Sequence, residues 1–168
     1  MALPKLDVPI YELTVPSTDE KIKYRPFLIK EEKILLIAME SGANEDVIQA
    51  VKQIVSECTF NTLKLGNMPM FDVEYIFLQI RSKSVGEVSK LKVLCRDDGE
   101  TYANVEVDLT EIEVQVNDDH TNKIELTDEM GVIMRYPTID SFSTAGISDI
   151  TADNMLDVIT SCIYQIYD

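Results

Sequence analysis

The spacing of apolar residues along this chain changes once, near Gly86. Before that point they recur mainly every three to four positions; after it they recur every two. The first region opens with a short hairpin. Tyr11, Leu13 and Val15 alternate with Ile10, Glu12 and Thr14, Pro16-Ser17-Thr18-Asp19-Glu20 supplies the turn, and a second strand over 21–25 is broken by Pro26. A helix follows over 29–40. Its middle, Ile34-Leu35-Leu36-Ile37-Ala38-Met39, is apolar all round and predicts burial on more than one side, and Ser41-Gly42 stops it. A second helix over 45–58 carries a stripe of Val47, Ile48, Val51, Ile54, Val55 and Cys58. Asn44 is its predicted N-cap, with Glu45 and Asp46 suited to the positive end of the dipole. Residues 61–68 read as a loop. A third helix starts near Pro69, has Asp72 and Glu74 early and Arg81 and Lys83 late, and ends at Gly86. Val73, Ile76, Phe77 and Ile80 make one apolar face of it and Phe71, Tyr75 and Leu78 a second, which implies a central position or a face kept for another protein.

From Glu87 the alternation predicts an antiparallel meander. Leu91, Val93 and Cys95 form one run, and Asp98-Gly99 a tight turn. Ala103, Val105, Val107 and Leu109 follow, then Ile112, Val114 and Val116, then shorter strands around Ile124–Leu126 and Val132–Tyr136. One face of this sheet reads as apolar and the other as acidic. After Pro137 comes a short irregular or helical piece through Phe142 and Gly146. A closing helix begins near Thr151, with Met155, Ile159, Cys162, Ile163 and Ile166 as its stripe. Such a helix would end on Asp168 and a terminal carboxylate against its own dipole, which predicts that it continues or that it ends at a partner. The expected fold class is α+β: an N-terminal hairpin and helices packed with an antiparallel β-meander and closed by a C-terminal helix. Its regions are 1–86 and 87–168, either separate or combined into one domain.

Charge sharpens the division. Of 168 residues, 15 are basic and 30 acidic, a net −15. Residues 1–85 hold 10 basic and 12 acidic side chains, whereas residues 86–168 hold 5 and 18. The acidic half argues against nucleic acid or an anionic membrane as partner. It fits either a solvated surface that keeps the chain soluble or a basic protein partner steered by long-range attraction. Cys58, Cys95 and Cys162 are widely spaced, odd in number and set on apolar stripes, which suggests reduced thiols in a cytosolic setting. The N-terminal Met1-Ala2-Leu3-Pro4 has no apolar core of a signal peptide, and the longest apolar run spans only 34–39.

Catalytic chemistry finds little support. The single histidine, His120, lies in Asn117-Asp118-Asp119-His120-Thr121-Asn122, which reads as a cation-holding cluster or as a polar turn. It lacks the glycine and distal glutamate of a calcium loop. Neither paired zinc ligands nor phosphate-binding glycine motifs occur, so no metal or cofactor is expected. A Cys–His nucleophilic pair would need an inward-facing cysteine beside a turn histidine.

Two segments are spelled more specifically than packing requires: Lys23-Tyr24-Arg25-Pro26-Phe27-Leu28-Ile29-Lys30-Glu31-Glu32-Lys33-Ile34-Leu35-Leu36, and the run from Phe71 to Glu87 that contains Tyr75-Ile76-Phe77-Leu78-Gln79-Ile80-Arg81-Ser82-Lys83. Together with Pro4-Lys5-Leu6 and Tyr11-Glu12-Leu13-Thr14-Val15-Pro16-Ser17-Thr18, and in this order, they resemble the baseplate proteins of T4-type bacteriophages, in particular the hub assembly proteins of contractile tails. The likeness is firmest from Tyr11 to Glu87. It implies a non-enzymatic protein that binds hub or tape-measure proteins in the host cytoplasm during assembly, either staying in the virion baseplate or leaving as a chaperone. Tyr24, Arg25, Phe27, Tyr75, Leu78, Arg81 and Lys83 are the candidate contacts, since cations beside apolar anchors compose interface hot spots. Against that, Arg81 and Lys83 also suit a helix C-terminus, and Arg25 an edge strand. A small metal-dependent hydrolase and a host protein-binding domain are the alternatives.

Overall fold

The computed structural model describes residues 7–117, 119–144 and 154–168. Strands β1 (Tyr11–Thr14) and β2 (Lys21–Tyr24) pair antiparallel from Tyr11↔Tyr24 to Thr14↔Lys21. Their turn is closed by the Val15 amide donating to the Glu20 carbonyl at 2.9 Å. Three helices follow: α1 (Ile29–Ser41), α2 (Asn44–Cys58) and α3 (Met70–Val85). Gly42, at φ 70, closes α1 in the left-handed conformation that glycine adopts without penalty. The α2 cap falls one residue before the expected Asn44, at Ala43, whose side chain offers no oxygen.

The core forms where the predicted stripes meet. Ile54, Val55 and Cys58 of α2 face Val73, Ile76 and Ile80 of α3, and Val15, Ile22 and Tyr24 of the hairpin close one end. Ile139, from the second half of the chain, joins the same cluster. It is drawn in by a bridge between Pro69 and Thr138 and by the Met70 amide donating to the Pro137 carbonyl at 3.0 Å.

The first helix departs from expectation. It packs on α2, burying Glu31 and Ala38 and setting Leu35 against the core, but Ile29, Leu36, Ile37 and Met39 point away and stay 54–84% exposed. Among the described residues its outward side stays exposed, so its all-round apolar composition is not matched by all-round burial.

The second half is not one meander. Strands β3 (Val88–Leu94) and β4 (Tyr102–Asp108) form a separate two-stranded hairpin. The expected strand over 112–116 is absent. A 3-10 turn at Leu109–Glu111 intervenes, stabilised by the Asp108 carboxylate accepting the Thr110 amide at 2.9 Å, and residues 112–117 then run without strand pairing. A second sheet has the order β5-β6-β7, with β5 at Lys123–Glu125, β6 at Gly131–Met134 and β7 at Ile163–Tyr167. Between β6 and β7 lie α4 (Ile139–Thr144) and α5 (Met155–Ser161).

The closing helix is therefore shorter than its apolar stripe suggested. After Ser161 the run Ile163-Tyr164-Gln165-Ile166-Tyr167, aromatic and β-branched, takes its strand preference and pairs with β6. The conflict between an acidic terminus and a helix dipole disappears with it. Thr151, its expected N-cap, lies outside the described residues, as do Gly146 and the Pro4-Lys5-Leu6 run.

This sheet depends on one small residue. Gly131 pairs with both Glu125 and Tyr167, and a Cβ there would meet the Tyr167 ring and lie 2.7 Å from the Ile124 carbonyl oxygen. Gly131→Ala is expected to cost about 1–3 kcal/mol, the usual range for overpacking. A lowered thermal midpoint, with hydrogen exchange accelerated selectively at 123–134 and 163–167, would register it.

Candidate partner-docking surface

The β3–β4 hairpin stands on the C-terminus of α3. Gly86, at φ 138 and ψ 153, makes the turn out of the helix in a region of backbone space reserved for glycine. At the base, Leu109 is buried and its amide donates to the Glu87 carbonyl at 2.8 Å. At the tip, the Asp98 carboxylate accepts the amides of Glu100 and Thr101 at 3.1 and 3.0 Å, and hydrogen bonds led by that of the Thr101 hydroxyl hold its carboxyl at about 2.

Seven cross-strand pairs sort the side chains onto two faces. Leu91 opposite Val105 and Val93 opposite Ala103, with Ser89 opposite Val107 towards the base, make one face predominantly apolar, and Leu91 and Val93 are each 48% exposed. The other face is not the acidic one expected. It carries Val88, Lys90, Lys92 and Leu94 opposite Asp108, Glu106, Asn104 and Tyr102, so two lysines offset two carboxylates, with Lys90 and Glu106 paired at 3.0 Å. Further carboxylates of this region lie off that face, at Asp97, Asp98 and Glu100 of the tip and at Glu111 and Glu113 beyond the base. A hairpin of two strands is marginal on its own. Here an apolar face lies open, and neither long edge is paired among the described residues.

At the hairpin's foot, three segments converge on Lys83. Its ammonium pairs with Glu87, which raises its pKa, and sits 5.6 Å from the centre of the Tyr11 ring. Tyr11 packs on Tyr24 with ring centres 5.6 Å apart. Tyr24 is 3% exposed, and burial pushes its phenol up, with Lys83 opposing.

The other predicted contacts divide between inside and outside. The Arg25 side chain is 14% exposed; it donates to the Pro26 carbonyl at 3.0 Å and to Glu31 Oε1 at 2.8 Å. Phe27 packs against the core, and its amide donates to the Ser84 hydroxyl at 3.0 Å. Tyr75, Leu78 and Arg81 are half-buried on α3. Tyr24, Phe27 and Lys83 thus gather where β2 meets the end of α3, with Tyr24 turned inward, while Arg25 turns inward towards Glu31 at the start of α1.

Sequence reasoning passed over Glu31 altogether. It is fully buried at the third position of α1, where it accepts the Leu28 amide at 2.8 Å as well as Arg25, with Lys30 Nζ 3.2 Å away. Burial would raise its pKa, but the hydrogen bonds from Arg25, Leu28 and Lys30 prevail and hold it at about 2. Lys30 also bridges to Glu57 at 2.7 Å, so the cluster ties the start of α1 to the end of α2. The available signal was the glutamate at the third helical position, which can reach back to a free amide. Asp72 was likewise missed as a buried group: it accepts both the amide and the hydroxyl of Ser17, pinning the hairpin turn to the start of α3.

His120 stacks on Tyr136, with ring centres 5.6 Å apart, and its Nε2 lies 2.8 Å from the tyrosine hydroxyl. Both line a groove of about 770 Å³ with Arg135, whose guanidinium is engaged by the Ser161 carbonyl at 3.0 Å. Asp118 lies outside the described residues, among which no group of three or more His, Cys, Asp or Glu could hold a metal ion. Burial raises the Cys58 thiol to about 11, which leaves it protonated and a poor nucleophile at neutral pH. No helix among the described residues is long and apolar enough to cross a membrane.

A family model described as T4 bacteriophage base plate protein matches residues 8–168. No curated protein and no solved structure matches the chain.

Proposed function

Because the chain belongs to the T4 bacteriophage base plate protein family, we propose that it works in the baseplate as a non-enzymatic hub assembly protein, docking hub or tape-measure proteins through the apolar face of the β3–β4 hairpin. The observation that carries this reading is the open stripe of Leu91, Val93 and Val105 on a hairpin anchored at its base by Leu109. Exposed apolar faces of this kind mark interaction surfaces. Tyr75, Leu78, Arg81 and Lys83, on the helix that leads into the hairpin, extend the contact. Tyr24, Arg25 and Phe27 serve it by fixing the corner from which the hairpin projects. The partner we propose is basic where it meets the acidic tip, which speeds encounter and sets orientation. A baseplate protein is a component of the virion tail; the host cytoplasm, where tails are built, is the compartment we propose for its first contacts.

The test is copurification of hub and tape-measure proteins with tagged chain from infected cells. Leu91→Asp combined with Val105→Asp is expected to reduce recovery at least tenfold, the scale of losing two anchors of about 1 kcal/mol or more each. Lys90→Ala, on the opposite face, should leave it unchanged. Undiminished recovery with the double variant would refute the hairpin as the docking element.

A further inference from the structure

The outward side of α1 is a second apolar surface, separate from the hairpin, and its charges suggest what covers it. Ile29, Leu36, Ile37 and Met39 project away from α2, and Lys33 and Glu40 lie on the same side. Neither Lys33 nor Glu40 enters an ion pair among the described residues. They stand seven residues apart, two turns of helix, and Leu36-Ile37 lies midway between them.

That placement is self-complementary. A two-fold axis passing between Leu36 and Ile37 brings Lys33 of one helix to the same height as Glu40 of an antiparallel second helix, and does so twice. A parallel pairing in register would set Lys33 against Lys33. The first 85 residues are also nearly neutral, so contact through α1 avoids the self-repulsion that the strongly acidic second half would bring.

We propose that α1 is a self-association helix: two copies of this chain pair antiparallel across Leu36 and Ile37, with Lys33 of each copy against Glu40 of the other. A 13-residue helix is about 20 Å long. One such pair falls at the small end of specific interfaces, so the dimer is weak and forms where the protein is concentrated. Such symmetric, isologous contacts are the commonest way soluble chains oligomerise.

Sedimentation equilibrium of the full chain over a concentration series tests this. The wild type is expected to dimerise. Lys33→Glu and Glu40→Lys, both at exposed positions, are each expected to weaken dimerisation about tenfold, because two attractive pairs become repulsive. Mixing the two variants in equal amounts should restore wild-type affinity, since the mixed dimer sets a glutamate pair against a lysine pair. A wild type that stays monomeric up to its solubility limit would overturn the proposal, as would a dimer indifferent to both reversals or variants that do not rescue each other. A monomer whose α1 stripe binds a baseplate protein instead would also overturn it. None of these outcomes touches the hairpin, so the docking function stands or falls separately.

Discussion

Glu31→Ala is expected to destabilise the protein by about 3–5 kcal/mol at pH 7, the cost of removing one partner from a buried ion pair. Arg25, nearly enclosed, would keep its charge with only the Pro26 carbonyl to hold it, and the Leu28 amide would lose its acceptor. The pKa gives an independent figure. A carboxyl held at about 2 against an ordinary 4.5 corresponds to roughly 3 kcal/mol, at about 1.4 kcal/mol per pH unit. The sign follows from a depressed folded pKa. The stabilisation is complete above about pH 4.5 and is lost as pH falls through about 2. Urea unfolding of wild type and variant should therefore show a wide gap at pH 7 that shrinks by about 2 kcal/mol near pH 3. A gap independent of pH would show that Glu31 acts by packing rather than by charge. Asp72, whose pKa is raised by burial, titrates with the opposite sign but is common to both proteins and cancels in the difference.

Ile76→Ala is expected to cost about 2–5 kcal/mol, the range for truncating a fully enclosed aliphatic side chain. Ile76 is fully buried at the meeting of α2, α3 and the N-terminal hairpin. The loss should appear as a lower urea midpoint with an unchanged slope. Ile166→Ala, at a residue that is 64% exposed on β7, should change stability by no more than about 0.5 kcal/mol. Similar losses at the two positions would mean that the β7 sheet is as closely packed as the helical core.

The helical half was legible in the sequence because α2 and α3 bury single stripes at steps of three and four, and Gly42 and Gly86 mark the helix ends. The α+β class followed from the same change of period. Two things were hidden. The alternation of Ile112, Val114 and Val116 gave no warning that a capped turn at Asp108–Thr110 would keep that segment out of any sheet. The run after Ser161 satisfied helical spacing through Ile163 and Ile166, yet pairing with β6 overrode it. The first is decided by a local side-chain cap and the second by a tertiary partner, and apolar period encodes neither.

The candidate contacts were legible as residue types but not as directions. Tyr24 and Arg25 combine the aromatic and guanidinium groups typical of interfaces, and both serve the interior. What turned Arg25 inward is Glu31, six residues on and across a proline. The exposed surfaces came from residues read as core: Leu36 and Ile37 on α1, and Leu91 and Val93 on β3.

Gly86 carries a consequence for evolution of the assembly. Its φ of 138 is open to almost no other amino acid, so the angle at which the strand pair leaves the helix is set by a single codon. Side chains along the strands can vary freely, but the bearing of the arm is locked, and if the hairpin docks a partner as proposed, that protein must keep approaching along one line.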